Sequence, residues 1–208
     1  MTRYLLLFLY SISLLSCKPL FNYTAVDYNG IPKVEPVLSF TEDADKVVYK
    51  AQIDLYKKHF SGIVVFKYIP ADSATRIVFM SEVGITFFDF QIRNGEFTVI
   101  NAIAGFDKEL IISVFREDFQ ILLRNPVEGE NKIFYKNLTI ENSYTYASDF
   151  CGFTHDYSYE NGKLAEIISK ERVKIKKLIK IFGDDAQHPQ QLIIEHKNVK
   201  LVIQLSRI

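Results

Sequence analysis

The chain has no tryptophan, two methionines and only two cysteines, Cys17 and Cys151, in 208 residues. Two cysteines allow one disulfide at most, so a cystine-stapled scaffold is excluded. Net charge is missing too: 25 Lys and Arg balance 25 Asp and Glu. Without a basic excess there is no electrostatic footprint for nucleic acid. No internal repeat, low-complexity block or long charged tail occurs, which removes solenoids and disordered interaction tails. Catalytic signatures are absent as well: there is no Gly-x-Ser-x-Gly elbow, His-Glu-x-x-His pair, phosphate-binding loop or Gly-x-Gly-x-x-Gly turn. The sequence gives no positive ground for an enzyme, and it implies no cofactor and no metal.

What is present begins with a leader. One Arg is followed by Leu5–Leu15, which carries no charge. That run has the length of a secretory h-region and is too short to span a bilayer as a finished helix. Leu14-Leu15-Ser16-Cys17 resembles the bacterial lipobox, with an aliphatic residue at −3, a small one at −1 and Cys at +1. The resemblance implies cleavage after residue 16, a diacylglyceryl thioether on Cys17 and acylation of the new N-terminus. Three acyl chains, at about 0.8 kcal/mol per buried methylene, exceed what stable anchoring requires. Plain secretion is the other reading. A thioether on Cys17 leaves Cys151 unpaired, either as a small buried apolar residue or as a reactive thiol.

Residues 17–45 contain Pro19, Pro32, Pro36 and Asn29-Gly30 without sustained periodicity, and read as an extended tether. From residue 46 strands follow one another. Val47, Tyr49, Ala51, Ile53 and Leu55 alternate with mostly polar residues, the pattern of a half-buried strand. Asn94-Gly95 and Asn161-Gly162 sit between strand runs and predict tight hairpins. One helix is expected over Asp107–Arg124, with Asp107 accepting from the first-turn amides and Ile111, Phe115, Phe119 and Leu122 on one face. The expected fold is mainly β. It is an incomplete antiparallel barrel of roughly ten or eleven strands, with one or two helices against or capping its inner face. "GIVVFKY", "RIVFM" and "ITFFDFQI" are apolar on both faces, so both faces are covered or one faces an apolar cavity.

Residues 46–124 add a resemblance. "HFSGIVVFKYIPADSATRIVFMSEVGITFFDFQIRNGEFTVI", followed by "DKELIISVFREDFQILL", is similar to the Lol-type lipoprotein carriers of the LolA/LolB-like superfamily. The similarity implies an incomplete barrel that holds acyl chains in an apolar interior and delivers lipoproteins or related lipids to the outer membrane. In the anchored member of that pair, a loop before such a Gly presents an apolar residue to the membrane; the matching position is Val83, beside Gly84.

Several sets of candidate residues follow. Cys17 is the lipidation site. Phe66, Phe79, Phe88, Phe90 and Val99 from strands, with Phe115 and Phe119 from the helix, are either lining of a lipid-binding cavity or packed core. Val83 is the membrane-contact candidate. Lys170, Arg172, Lys174, Lys176 and Lys180 line one side of an alternating strand, with Lys177 an additional charge. They form either a solvated face or a docking surface for headgroups or an acidic partner. Cys151-x3-His155-Asp156 is half a metal site without a second half, and His59 reads as a solvated turn residue. Asp89 and Asp118 are acids at apolar positions, and either could pair with Arg76.

The functional expectation is a monomeric lipoprotein of the outer membrane of a Gram-negative bacterium, its domain (46–208) facing the periplasm. It would bind acyl chains, receive them from a periplasmic carrier protein, and assist lipid or lipoprotein delivery. The alternative is an adaptor lipoprotein with a packed barrel and a protein-binding basic face.

Overall fold

Alternating side chains joined by tight turns build one continuous sheet. The computed structural model describes residues 23–25, 35–41, 45–126, 130–137, 142–183, 185 and 188–208. In chain order the strands are β1 Tyr23–Ala25, β2 Lys46–Leu55, β3 Lys58–Ile69, β4 Ala74–Met80, β5 Thr86–Arg93, β6 Glu96–Ala102, β7 Glu130–Asn137, β8 Ser143–Phe150, β9 Phe153–Glu160, β10 Lys163–Glu171, β11 Lys174–Phe182, β12 Gln191–His196 and β13 Leu201–Arg207. Among the described residues one α-helix, α1 (Glu109–Leu123), links β6 to β7.

All strand pairs are antiparallel, in the order β1-β7-β8-β9-β10-β11-β12-β13-β2-β3-β4-β5-β6. Two meanders, β2–β6 and β7–β13, are joined where β13 pairs with β2, Ile203 opposite Ile53. The edges β6 and β1 do not pair, so the sheet is open and not closed into a barrel. The expected architecture holds, with thirteen strands among the described residues in place of ten or eleven. One that periodicity missed, β1, has three residues, too few to display alternation.

Turn chemistry sets the registers. Asn94-Gly95 and Asn161-Gly162 are two-residue turns with positive φ at both positions, the type I′ geometry whose twist matches that of the strands. Cys151-Gly152 is a third, with φ of 52° and 79°. Leu55 opposes Lys58 across Tyr56-Lys57, where Tyr56 has φ 56°. Glu171 opposes Lys174, so the basic run expected as one alternating strand from Lys170 to Lys180 is split by a turn at Arg172-Val173 between β10 and β11.

The core lies between the sheet's concave face and α1. Ile111, Val114, Phe115, Asp118, Phe119, Ile121 and Leu122 form the buried side of the helix. The helix starts two residues later than expected, at Glu109, with Lys108 in place of Asp107 at its N-cap. Lys108 O, not the Asp107 carboxylate, takes the amides of Ile111 and Ile112, while Asp107 Oδ1 accepts from Gly105 N at 2.9 Å. Part of the segment read as tether is also core: Val37 and Leu38 are buried, and Leu38 N donates to Leu122 O at 2.9 Å. Proline spacing concealed that docking, because a short irregular segment has no period to read.

Candidate functional site

The seven residues expected to line a cavity separate in the structure. Phe66, Phe79, Phe88, Phe90, Phe115 and Phe119 are buried and meet one another as rings. Phe88 stacks on Phe90 at 4.4 Å and touches Phe115 at 5.0 Å, and Phe119 reaches Phe66 at 5.7 Å. Such contacts are worth about 0.5–1.5 kcal/mol per pair beyond burial. These rings fill the space under α1. Val99 stands apart at 38% exposure, because β6 is an edge strand and nothing packs beyond it.

An open apolar cleft lies beside this aromatic interior. It has a volume of about 690 Å³ and is bordered by Ile92, Asn94 and Gly95 of the β5–β6 hairpin, by Gln120–Asn125 at the end of α1, and by Phe150 and Cys151 of the β8–β9 hairpin. Hairpins from the two meanders, β5–β6 and β8–β9, thus border one opening. Ile92, Leu123, Phe150 and Pro36 supply apolar wall. The guanidinium of Arg124 lies 4.0 Å from the centre of the Phe150 ring, a cation–π contact that holds a positive charge at the rim. Gln120 Nε2 donates to Gly95 O at 2.9 Å, tying the helix end to the first hairpin. A second hollow of about 420 Å³ shares Arg124, Phe150 and Cys151 and adds Glu130, Asp149 and Arg172.

Cys151 is exposed on its turn, not buried as a small apolar residue. Partial desolvation and the Glu117 carboxylate push its thiol up against the pull of Arg124, Arg116 and Lys177. A thiol held in its protonated form is a poor nucleophile and a poor metal ligand. His155 is turned away from it. Ser169 Oγ donates to His155 Nδ1 at 2.9 Å, and His155 Nε2 donates to Phe150 O at 3.2 Å. Burial lowers His155 to about 4, so the ring is neutral, with the proton on Nε2. Among the described residues no group of three His, Cys, Asp or Glu is placed to hold a metal ion.

His155 belongs to a feature the sequence reading did not assemble. Ser148 of β8 opposes His155 of β9, which opposes Ser169 of β10, which opposes Lys177 of β11, which opposes His196 of β12. All five side chains are buried, forming a polar row across the concave face. Helix α1 caps it: Asp118 Oδ1 lies 2.5 Å from Lys177 Nζ and 3.0 Å from His196 Nε2, and Glu117 is 3.6 Å from Lys177. His196 Nδ1 meets Leu201 O at 3.1 Å. Both ring nitrogens of His196 thus face oxygen atoms, one on α1 and one on the backbone of β13. Burial pushes Asp118 up, but His196 and Lys177 outweigh it and hold the carboxyl below its ordinary range. Asp118 therefore pairs with Lys177 and His196, not with Arg76. Arg76 takes Asp89 instead, Nε at 2.5 Å and an Nη at 2.6 Å.

Lys177 had a signal in the sequence. Along β11, Lys174, Lys176 and Lys180 share one face with Leu178, while Lys177 interrupts Ile175, Ile179 and Ile181 on the other. The outer lysines are matched by acids: Lys176 with Glu171 at 2.6 Å, Lys180 with Glu195 at 4.0 Å, and Lys170 with Asp156. Arg172 occupies the turn instead of the strand face. Val83 is 83% exposed in the Ser81–Ile85 turn, where Ser81 N donates to Ile85 O; Ile85 beside it is 57% exposed. His59 lies within β3, exposed, with Nδ1 2.7 Å from Asp54. Cys17 lies outside the described residues.

Fold and site together define an open antiparallel sheet with a helix packed on one face and an apolar cleft between the β5–β6 and β8–β9 hairpins. No family profile and no curated protein matches the chain in sequence. Among solved structures it is similar to a DUF1329 family protein from Desulfovibrio piger, at a TM-score of 0.44 and 12% identity, over 79% of this chain and 84% of that one. A likeness this loose assigns neither family nor function.

Proposed function

We propose that this protein is a lipid-anchored envelope lipoprotein that binds acyl chains and assists their delivery at the outer membrane, in the manner of a Lol-type carrier. The observation that carries this reading is the cleft: about 690 Å³, with Ile92, Leu123 and Phe150 on its walls and Arg124 at its rim. That pairing suits an amphiphile with an apolar chain and an acidic or phosphate-bearing head. The ligand enters between the β5–β6 and β8–β9 hairpins, because the phenylalanines already fill the space under α1. The anchor is Cys17, and Val83 with Ile85 presents exposed apolar surface to a membrane. The cargo comes from a periplasmic carrier, and the domain acts as a monomer facing the periplasm without enzymatic chemistry.

The test is uptake of a fluorescent fatty acid by the chain lacking residues 1–17. Saturable binding that Leu123→Asp abolishes and Arg124→Gln weakens supports the reading. Absence of uptake contradicts it. The packed aromatic interior favours a second reading, an adaptor in which the sheet is scaffold only. That reading calls for capture of an envelope partner lost on charge reversal at Lys174 and Lys176, with no lipid uptake.

A further inference from the structure

A third, smaller cavity lies away from the cleft. Its volume is about 170 Å³, and its walls come from Glu35, Pro36 and Val37, from Tyr159, Gly162, Lys163 and Leu164 of the β9–β10 hairpin, and from Ile181, Gly183, Asp185 and Pro189. Of these, only Pro36 also borders the cleft.

The buried tyrosines single this cavity out. Tyr49 donates its hydroxyl to Pro189 O at 3.0 Å, and Tyr146 to Pro126 O at 3.5 Å. Tyr159 is 4% exposed, yet its hydroxyl has no partner. Tyr144, directly opposite on β8, has a buried hydroxyl that is likewise unpartnered. The two rings stack at 4.7 Å with 10° between their planes, and Phe134 extends the stack at 5.2 Å. A buried hydroxyl without a partner costs about 1–3 kcal/mol, so a fold that keeps that of Tyr159 at the wall of a cavity invites an occupant that satisfies it. Desolvation raises both phenols, which keeps them protonated and able to donate.

The surroundings define the occupant. Asp185 takes Arg207 at 2.5 Å and His188 N at 3.1 Å, and Glu35 and Lys163 have interactions of their own. Val37, Leu164, Ile181 and the two prolines make the remaining wall apolar. An apolar cavity of about 150 Å³ holds one benzene-sized molecule. We infer that this cavity is a binding site for a compact uncharged molecule, about one ring in size, whose carbonyl oxygen accepts a hydrogen bond from Tyr159. The carbonyl belongs either to a small cyclic ketone or to the ester end of a short acyl chain. The site does not depend on the cleft or on its ligand.

The experiment titrates the full chain in nanodiscs, methyl-labelled at Ile, Leu and Val, with cyclohexanone and separately with methyl butyrate. Empty nanodiscs correct for partitioning. Cyclohexane, which has the ring without the acceptor, is the control. Saturable shifts at Val37, Leu164 and Ile181 are expected, with the tighter probe identifying the source of the carbonyl. Tyr159→Phe keeps the ring and should weaken the carbonyl probes by roughly tenfold while leaving cyclohexane unchanged. Three results would overturn the site: no saturable shift with either probe, equal affinity for cyclohexane and cyclohexanone, or unchanged affinity in Tyr159→Phe. Ordered water on both hydroxyls that neither probe displaces would do the same.

Discussion

Asp118 Oδ1 sits 2.5 Å from Lys177 Nζ, a contact between two buried side chains on α1 and β11. With His196 Nε2 at 3.0 Å from the same carboxylate, it pins the helix to the sheet by charge beside the apolar contacts of Phe115 and Phe119. Removing the acid leaves Lys177 and His196 buried without their counter-charge, which costs about 3–5 kcal/mol. Asp118→Leu should lose that much in urea denaturation, and a loss below about 1 kcal/mol would contradict the assignment. The carboxyl is held below its ordinary value, so its contribution is complete above the unfolded pKa, about 3.9. It disappears as pH falls through the lower folded value.

His155 predicts a second pH dependence, at higher pH. Its folded value is about 4, against 6.5 for the unfolded ring. Between those values the unfolded chain binds the extra proton, so stability falls as the solution is acidified. The 2.5-unit gap corresponds to about 3 kcal/mol, fully present above pH 6.5 and lost by about pH 4. Denaturation midpoints measured from pH 7 to pH 4 should fall in the wild type and flatten in His155→Gln. Equal slopes in the two proteins would remove His155 as the cause.

Gly62 allows β3 and β4 to approach closely. A Cβ at that position would lie 2.0 Å from Met80 O, a backbone atom that cannot swing aside. Gly62→Ala should therefore cost about 1–3 kcal/mol, read as a lower thermal midpoint, although alanine normally improves a strand. An unchanged midpoint would mean that the strands are farther apart than described.

Cys151 occupies the first position of a type I′ turn, where Asn is at ease and Cys is not. Cys151→Asn should stabilise the protein by about 0.4–1 kcal/mol. In the wild type, alkylation by iodoacetamide at pH 7 should be slow despite exposure, because the thiol is shifted up. Rapid alkylation at pH 7 would contradict this.

Periodicity and turn chemistry made the sheet legible. Val47–Leu55 alternates, the two Asn-Gly pairs fall at tight turns, and the apolar stripe of α1 is the stripe that is buried. The site was less legible, for reasons that differ by residue. Val37 and Leu38 dock from an irregular segment with no period, and Cys151 turns a hairpin that its side chain does not advertise. The six phenylalanines carry one pattern whether they line a cavity or fill it, because alternation reports which face is covered and not how closely. Lys177 and Asp118 each break an apolar face, but their partnership spans 59 residues of sequence and depends on the register of β11 under α1.

The central claim, that the cleft beside Arg124 takes acyl chains, is tested most directly by lipid mass spectrometry. The chain lacking residues 1–17 would be purified from a bacterial envelope, alongside its Leu123→Asp variant. The account predicts co-purifying acyl lipid in near-stoichiometric amount with the parent chain and at least tenfold less with the variant. Lipid absent from both, or equal in both, would contradict it.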